Sequence, residues 1–284
     1  MVNVARRIVP GYDIHQRMGL SPSLSIPNKD VAGRIVDDMS AEDRLLPFVE
    51  LLIAIHRNGF VGRRMPIPGL SEVLAELSHD GYGFDSVEGT FREDAGRRRT
   101  SNWGVLRRGE DYHLAFIAID VVGNSRLVKR FGRRRMEATY ADLRGLVTAA
   151  VEKRDGRLWS WEGDGGLAAF FTGEVGTHAV QSGMEILHEL VLYNALWNEL
   201  PEPVAVRLAV HSGQVFYNGE IKEIEHSVPV KTVRSIEADF TMPNSLTATP
   251  SVYGGLEAVL QSCFVDEVEG TGSPACRRYS IEFV

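Results

Sequence analysis

From residue 111 onward the hydrophobic period switches repeatedly between strand-like and helix-like spacing, and the order of those switches restricts the chain to few folds. His113–Ile119 is a mainly apolar run with the composition of a buried strand, and it stops at Asp120. A long helix is expected over about 124–153, with Tyr140, Leu143, Leu146, Val147 and Ala150 on one face. Arg157–Trp161 and Leu167–Phe171 flank Gly163-Asp164-Gly165-Gly166, which is the turn chemistry of a hairpin. A second helix is expected over 177–198, then strands at Val204–His211 and Gln214–Tyr217 on either side of Ser212-Gly213. A third helix, a strand near Leu246–Ala248, a short helix and two closing strands complete the order. The pattern β-α-β-β-α-β with additions is an α+β, ferredoxin-like arrangement, an antiparallel sheet with helices packed on one face.

Residues 1–110 read differently and form a separate, small, mainly helical region; the second domain takes residues 111–284. The first 35 residues are punctuated by Pro and Gly and show little periodicity. Leu45, Leu46, Val49, Leu52, Ile53 and Ile55 make a helical stripe that Asn58-Gly59 ends, with Pro47 in its first turn. Leu70, Val73, Leu74 and Leu77 make a second, which Gly81 stops. Residues 81–110 read as an irregular linker anchored by Trp103.

Charge narrows the partners. The formal net charge is −7, which gives no pull toward nucleic acid or an anionic membrane surface. The basic runs at 97–99 and 133–135 have no interleaved aromatic residues of the kind a single-strand platform needs. Leu45–Ile55, the most apolar stretch, is too short to span a bilayer. Two cysteines, Cys263 and Cys276, suit free thiols in a reducing compartment, so a soluble cytoplasmic protein is expected.

Asp120 closes a strand whose body wants burial, so its carboxylate needs a positive partner. Asp164 sits in the Gly-rich hairpin turn, which can pair beside that strand. Two carboxylates brought together repel, and a divalent cation between them relieves the repulsion; hard oxygen ligands suit Mg²⁺ or Mn²⁺. Glycines at 123, 163, 165 and 166 let backbone N–H groups approach an anion. Such a set describes two-metal phosphoryl transfer. Asp164 also fits an ordinary turn aspartate and Asp120 a helix cap, so these residues alone leave both readings open.

A resemblance selects between them. Phe116-Ile117-Ala118-Ile119-Asp120-Val121-Val122-Gly123-Asn124-Ser125 resembles the strand and turn that open class III adenylyl and guanylyl cyclase domains. Glu162-Gly163-Asp164-Gly165-Gly166-Leu167-Ala168-Ala169-Phe170 resembles the hairpin carrying that family's second metal aspartate. Val206-Arg207-Leu208-Ala209-Val210-His211-Ser212-Gly213 resembles a strand and turn of its core sheet. Together the motifs cover roughly residues 112–282. The resemblance implies two Mn²⁺ or Mg²⁺ ions held by Asp120, Asp164 and the Val121 carbonyl, and a triphosphate held by Gly123, Asn124 and Ser125. It implies conversion of a nucleoside triphosphate to a 3′,5′-cyclic nucleotide and pyrophosphate, for an effector that binds the cyclic product. It also implies a head-to-tail homodimer with its sites between the two domains.

The chain departs from the family at the base and at the transition state. Four residues before the second metal aspartate the family has a purine-reading Lys or Glu; here Ser160 stands there, between Trp159 and Trp161, and offers one uncharged hydroxyl. The family's later helix carries an Asn and, four residues on, an Arg; those positions are Lys231 and Ser235, with Arg234 adjacent. Losing such an arginine costs roughly 10³–10⁵ in rate where nothing replaces it, so Lys231 or Arg234 from the partner chain is expected to substitute. A lysine common near the C-terminus stands as Glu269. The missing purine determinants and long N-terminal region resemble the bacterial pyrimidine cyclases of phage-defence systems, which implies UTP as substrate. An adenylate cyclase and a degenerate nucleotide-binding domain are the alternatives.

Overall fold

The computed structural model describes residues 2–42, 44–87, 89–94, 96–97, 100–219, 224–264, 266–268 (backbone only) and 275–281. Arg98, Arg99 and Glu269 lie outside them. The chain divides into two compact units, Met1–Val105 and Leu106–Val284.

The first unit is mainly helical. It contains α1 (Val2–Ile8), α2 (Ile14–Met18), α3 (Asn28–Ala41), α4 (Leu45–Asn58) and α5 (Leu70–His79), then a hairpin of β1 (Tyr82–Asp85) and β2 (Thr90–Glu93). Both sequence-read stripes, α4 and α5, are present. The first 35 residues hold ordered helices where little periodicity was legible. The physical reason is length: α1 and α2 have seven and five residues, too few turns for an apolar stripe to repeat. They are held by caps and tertiary burial instead. Asp13 accepts the backbone N–H groups of His15 and Gln16, Gly19 ends α2 in the left-handed region, and Tyr12, Ile35 and Met39 are buried together. The expected linker is corrected as well, because Tyr82–Asp85 pairs with Thr90–Glu93 as a hairpin. Trp103 does anchor its segment, at 1% exposure.

The second unit is an α+β domain. Its strands are β3 (Glu110–Val121), β4 (Arg157–Glu162), β5 (Gly165–Phe170), β6 (Val206–Tyr217), β7 (Ser245–Ala248), β8 (Asp266–Val268) and β9 (Cys276–Ser280). They form one sheet in the order β4-β5-β3-β6-β7-β9-β8, antiparallel except for the parallel β6–β7 pair. Leu114–Ile119 reads as an unbroken apolar run because both faces of β3 are covered. The helices are α6 (Asn124–Phe131), α7 (Arg133–Glu152), α8 (Val175–Leu196), α9 (Val228–Phe240), α10 (Pro250–Tyr253) and α11 (Ala258–Gln261). On one face Ile117, Ile119, Val121 and Val210 meet Met136, Leu143 and Val147 of α7 and Ile186 and Leu190 of α8. On the other, α9 lies across β3 and β6 with Val230, Val233 and Ile236 buried.

Two elements are divided differently from the sequence reading. The helix expected over 124–153 is two helices, because Gly132 adopts φ 85° and ψ 151°, a conformation open almost only to glycine. The strands expected on either side of Ser212-Gly213 are one strand: Ser212 pairs with Ala115 and Gly213 with Leu114, so β6 follows β3 along its whole length. Gly213 serves packing there rather than a turn, since a Cβ on it would fall 2.8 Å from Pro229 of α9. Among the described residues no helix is long and apolar enough to cross a membrane, and neither Cys263 nor Cys276 is in a disulfide.

Candidate active site

Strand alternation decides where Asp120 points. Ile117, Ile119 and Val121 face the α7–α8 core, so Phe116, Ala118 and Asp120 face the side that α9 covers. Asp120 stands in the middle of three strands, opposite Gly165 of β5 and Arg207 of β6. The neighbouring hairpin turn is latched to this strand end: the Val121 N–H donates to the Asp164 carbonyl at 3.2 Å. Gly165 allows that approach, since a Cβ on it would lie 2.7 Å from the Ile119 carbonyl oxygen and 3.4 Å from Asp120 Oδ1.

Asp120 on β3 and Asp164 in the turn before β5 therefore come close enough for Asp120 to feel the charge of Asp164. The Asp120 carboxyl is raised above its ordinary 3.8, first by burial and then by the charge of Asp164, while Arg207 pulls the other way. Tyr140 on α7 registers the same pair: its phenol is raised by burial, then by Asp164, with Asp120 adding to the effect. Tyr140 donates a short hydrogen bond to Asn124 Oδ1. That contact ties the first residue of α6 to the carboxylate pair. Gly123, in the left-handed region at φ 68°, turns the chain from β3 into α6, and Asn124 and Ser125 open the helix with no side-chain cap. Among the described residues no side chain caps its first N–H groups.

Arg207 is the residue that sequence reasoning missed. Its Nη2 donates to Asp120 Oδ2 at 2.6 Å and its Nε to Glu237 Oε1 of α9, also at 2.6 Å. Glu237 is nearly buried, and its carboxyl is raised above 4.5, chiefly by that burial. The residue type was half of a signal: an arginine inside the apolar strand Val206–Val210 needs a carboxylate, but only the β3–β6 register identifies it as Asp120.

Carboxylates outnumber the cation. Arg207 bonds Asp120 and Glu237, two negative charges when ionised against one positive, and Asp164 beside Asp120 adds a third negative charge. Neighbouring carboxylates offer hard oxygen donors of the kind that suit Mg²⁺ or Mn²⁺. Among the described residues no group of three or more His, Cys, Asp or Glu side chains could hold an ion, so bound ions would complete their shells with backbone, substrate and water oxygens.

Of the remaining expected site residues, Ser160 and Lys231 lie apart from this set within one chain, while Arg234, one turn before Glu237 on α9, opposes the burial that raises the Glu237 carboxyl. Ser160 is opposite Leu167, which is opposite Ala118, so it shares the α9 face of the sheet with Asp120 but stands two strands across and two residues along, about 12 Å away. A bulge between Leu158 and Ser160 puts Trp159 edge-on to Phe116, at 5.6 Å between ring centroids. Trp161 packs on the opposite face and donates its Nε1–H to the Gly163 carbonyl. Lys231 and Arg234 are on the exposed side of α9. Arg234 stands 3.5 Å from Glu225, and no contact among the described residues joins Lys231 to Asp120 or Asp164.

No family model matches the sequence, and no curated protein matches it. Among solved structures, the chain is similar to the guanylyl cyclase domain of the RhoGC fusion protein from the aquatic fungus Blastocladiella emersonii, at 14% identity over 56% of this chain and 91% of that one, with a TM-score of 0.46. It is similar to the guanylate cyclase domain of RhGC from Catenaria anguillulae in complex with GTP, at 15% identity over 60% and 96%, with a TM-score of 0.48. It is also similar to an adenylate/guanylate cyclase/hydrolase from Silicibacter pomeroyi, at 19% identity over 61% and 99%, with a TM-score of 0.46.

Proposed function

We propose that the second unit is a metal-dependent nucleotidyl cyclase that converts a nucleoside triphosphate to a 3′,5′-cyclic nucleotide and pyrophosphate. The observation that carries the reading is the latched pair Asp120 and Asp164, whose charges oppose each other on adjacent strand ends. Asp120 and Asp164, with the Val121 carbonyl, would hold two divalent ions. Bound there, the ions would acidify the ribose 3′-hydroxyl and neutralise the phosphates. Gly123, Asn124 and Ser125 would seat the triphosphate at the uncapped start of α6. The 3′-oxygen attacks the α-phosphorus, the bond from that phosphorus to the oxygen bridging the β-phosphate breaks, and pyrophosphate leaves. The hydroxyl proton passes to solvent.

The placement of Ser160, Lys231 and Arg234 supports an active site shared between two copies. Ser160 lies two strands from Asp120, and both cations face outward, so each would serve the partner's site in a head-to-tail homodimer. Uncharged Ser160 supports UTP as substrate, with cyclic UMP as a messenger in the cytoplasm for a separate effector.

The outward cations also favour a second reading, a domain that binds nucleotide without turnover. Incubation with Mn²⁺ and each of the four nucleoside triphosphates, with products identified by mass spectrometry, separates these readings. A cyclic product from UTP supports the proposal. A product from ATP alone removes the pyrimidine assignment, and nucleotide binding without pyrophosphate release supports the non-enzymatic reading.

A further inference from the structure

We propose that Arg207 is a placeholder cation for Asp120, and that Glu237 is the positioning residue that holds Arg207 aside once a divalent ion arrives. The inference rests on the metal reading of Asp120 and Asp164 and adds to it a way for the empty site to stay folded. Arg207 reaches its two carboxylates through different nitrogens, Nη2 to Asp120 and Nε to Glu237, each at 2.6 Å. One contact can therefore break while the other persists. An ion on Asp120 repels the guanidinium and takes the same oxygen lone pairs. Glu237, anchored on α9 with its side chain only 11% exposed, keeps the Nε contact, so Arg207 pivots within the site rather than leaving it. Without the ion, Arg207 supplies the charge that a half-buried Asp120 beside Asp164 requires.

Glu237 then acts on the ion through Arg207, and this differs from a plain electrostatic role. If Glu237 merely added negative charge, its effect would be the same whether or not Arg207 were present. If it positions Arg207, the effect vanishes when Arg207 is removed.

The test is Mn²⁺ binding to the full chain without nucleotide, read from the free-Mn²⁺ signal in electron paramagnetic resonance. Arg207→Gln should tighten binding about tenfold and Glu237→Gln should weaken it by a similar factor, the double variant matching Arg207→Gln within about twofold. Glu237→Asp retains the charge and withdraws the carboxylate, so it should also weaken binding; it serves alone if Glu237→Gln does not fold. A double variant that returns to the wild-type affinity, or an Arg207→Gln variant that binds more weakly, overturns this inference and leaves the metal assignment standing. Failure of both the wild type and Arg207→Gln to bind Mn²⁺ removes the metal assignment and this inference with it.

Discussion

Arg207 Nη2 lies 2.6 Å from Asp120 Oδ2, in register across β3 and β6, so the carboxylate proposed to bind metal is met by a protein cation in the structure. The pair is partly exposed, at 27% and 29% of the side-chain surface. Such an arrangement tolerates exchange: the charge on Asp120 is compensated, yet not sealed from an incoming ion.

Removing either carboxylate should separate chemistry from folding. Asp120→Asn and Asp164→Asn are each expected to lower cyclic-nucleotide formation by roughly 10³-fold or more. Arg207 keeps Glu237 as a partner in the first variant, and Asp164 occupies a partly exposed turn, so melting temperatures should stay within about 4 °C of the wild type. Pyrophosphate release and circular dichroism check this; full activity in either variant contradicts the metal assignment.

The break between α6 and α7 should depend on backbone freedom alone. A Cβ on Gly132 meets nothing within 4 Å, so Gly132→Ala introduces no clash, yet φ 85° with ψ 151° is strained for any L side chain. A loss of about 1–3 kcal/mol in unfolding free energy is expected from urea melts. An unchanged stability would mean that the chain joins the two helices without cost.

His211 gives the fold a pH dependence of known sign. Its ring Nδ1 lies 3.0 Å from Thr249 Oγ1 and 3.2 Å from Ser251 Oγ. Burial, and then the nearby His113, hold its pKa below the ordinary 6.5. Below pH 6.5 the unfolded chain takes up a proton that the folded chain resists, so stability falls as pH drops through this range toward the folded pKa. The slope approaches at most about 1.4 kcal/mol per pH unit for one group. His211→Gln should flatten this part of the stability profile between pH 7 and pH 5, as measured by urea melts; an unchanged slope would assign it elsewhere.

What could be read in the sequence was whatever repeats or punctuates. The apolar run into Asp120, the Gly163–Gly166 turn and the long stripes of α4, α7 and α8 were legible, and they place Asp120 near the end of β3 and Asp164 in the turn that leads into the neighbouring β5. Short elements were silent, since α1, α2 and the β1–β2 hairpin are specified by caps and tertiary burial rather than by repetition. Glycine was misread in both directions. Gly132 breaks a helix that the apolar stripe carries through, and Gly213 admits α9 against a strand where a turn was expected. Arg207 and Glu237 escaped notice because their meaning depends on register: only the β3–β6 pairing and the position of α9 bring them to Asp120.

Crystals soaked with Mn²⁺ and a triphosphate whose 3′-hydroxyl has been removed provide the most direct measurement, read in an anomalous difference map. Two manganese peaks are predicted between the carboxylates of Asp120 and Asp164, with the nucleotide phosphates bridging them and Arg207 turned toward Glu237. A bound nucleotide with no manganese at these two side chains, or manganese held elsewhere in the chain, would contradict the account.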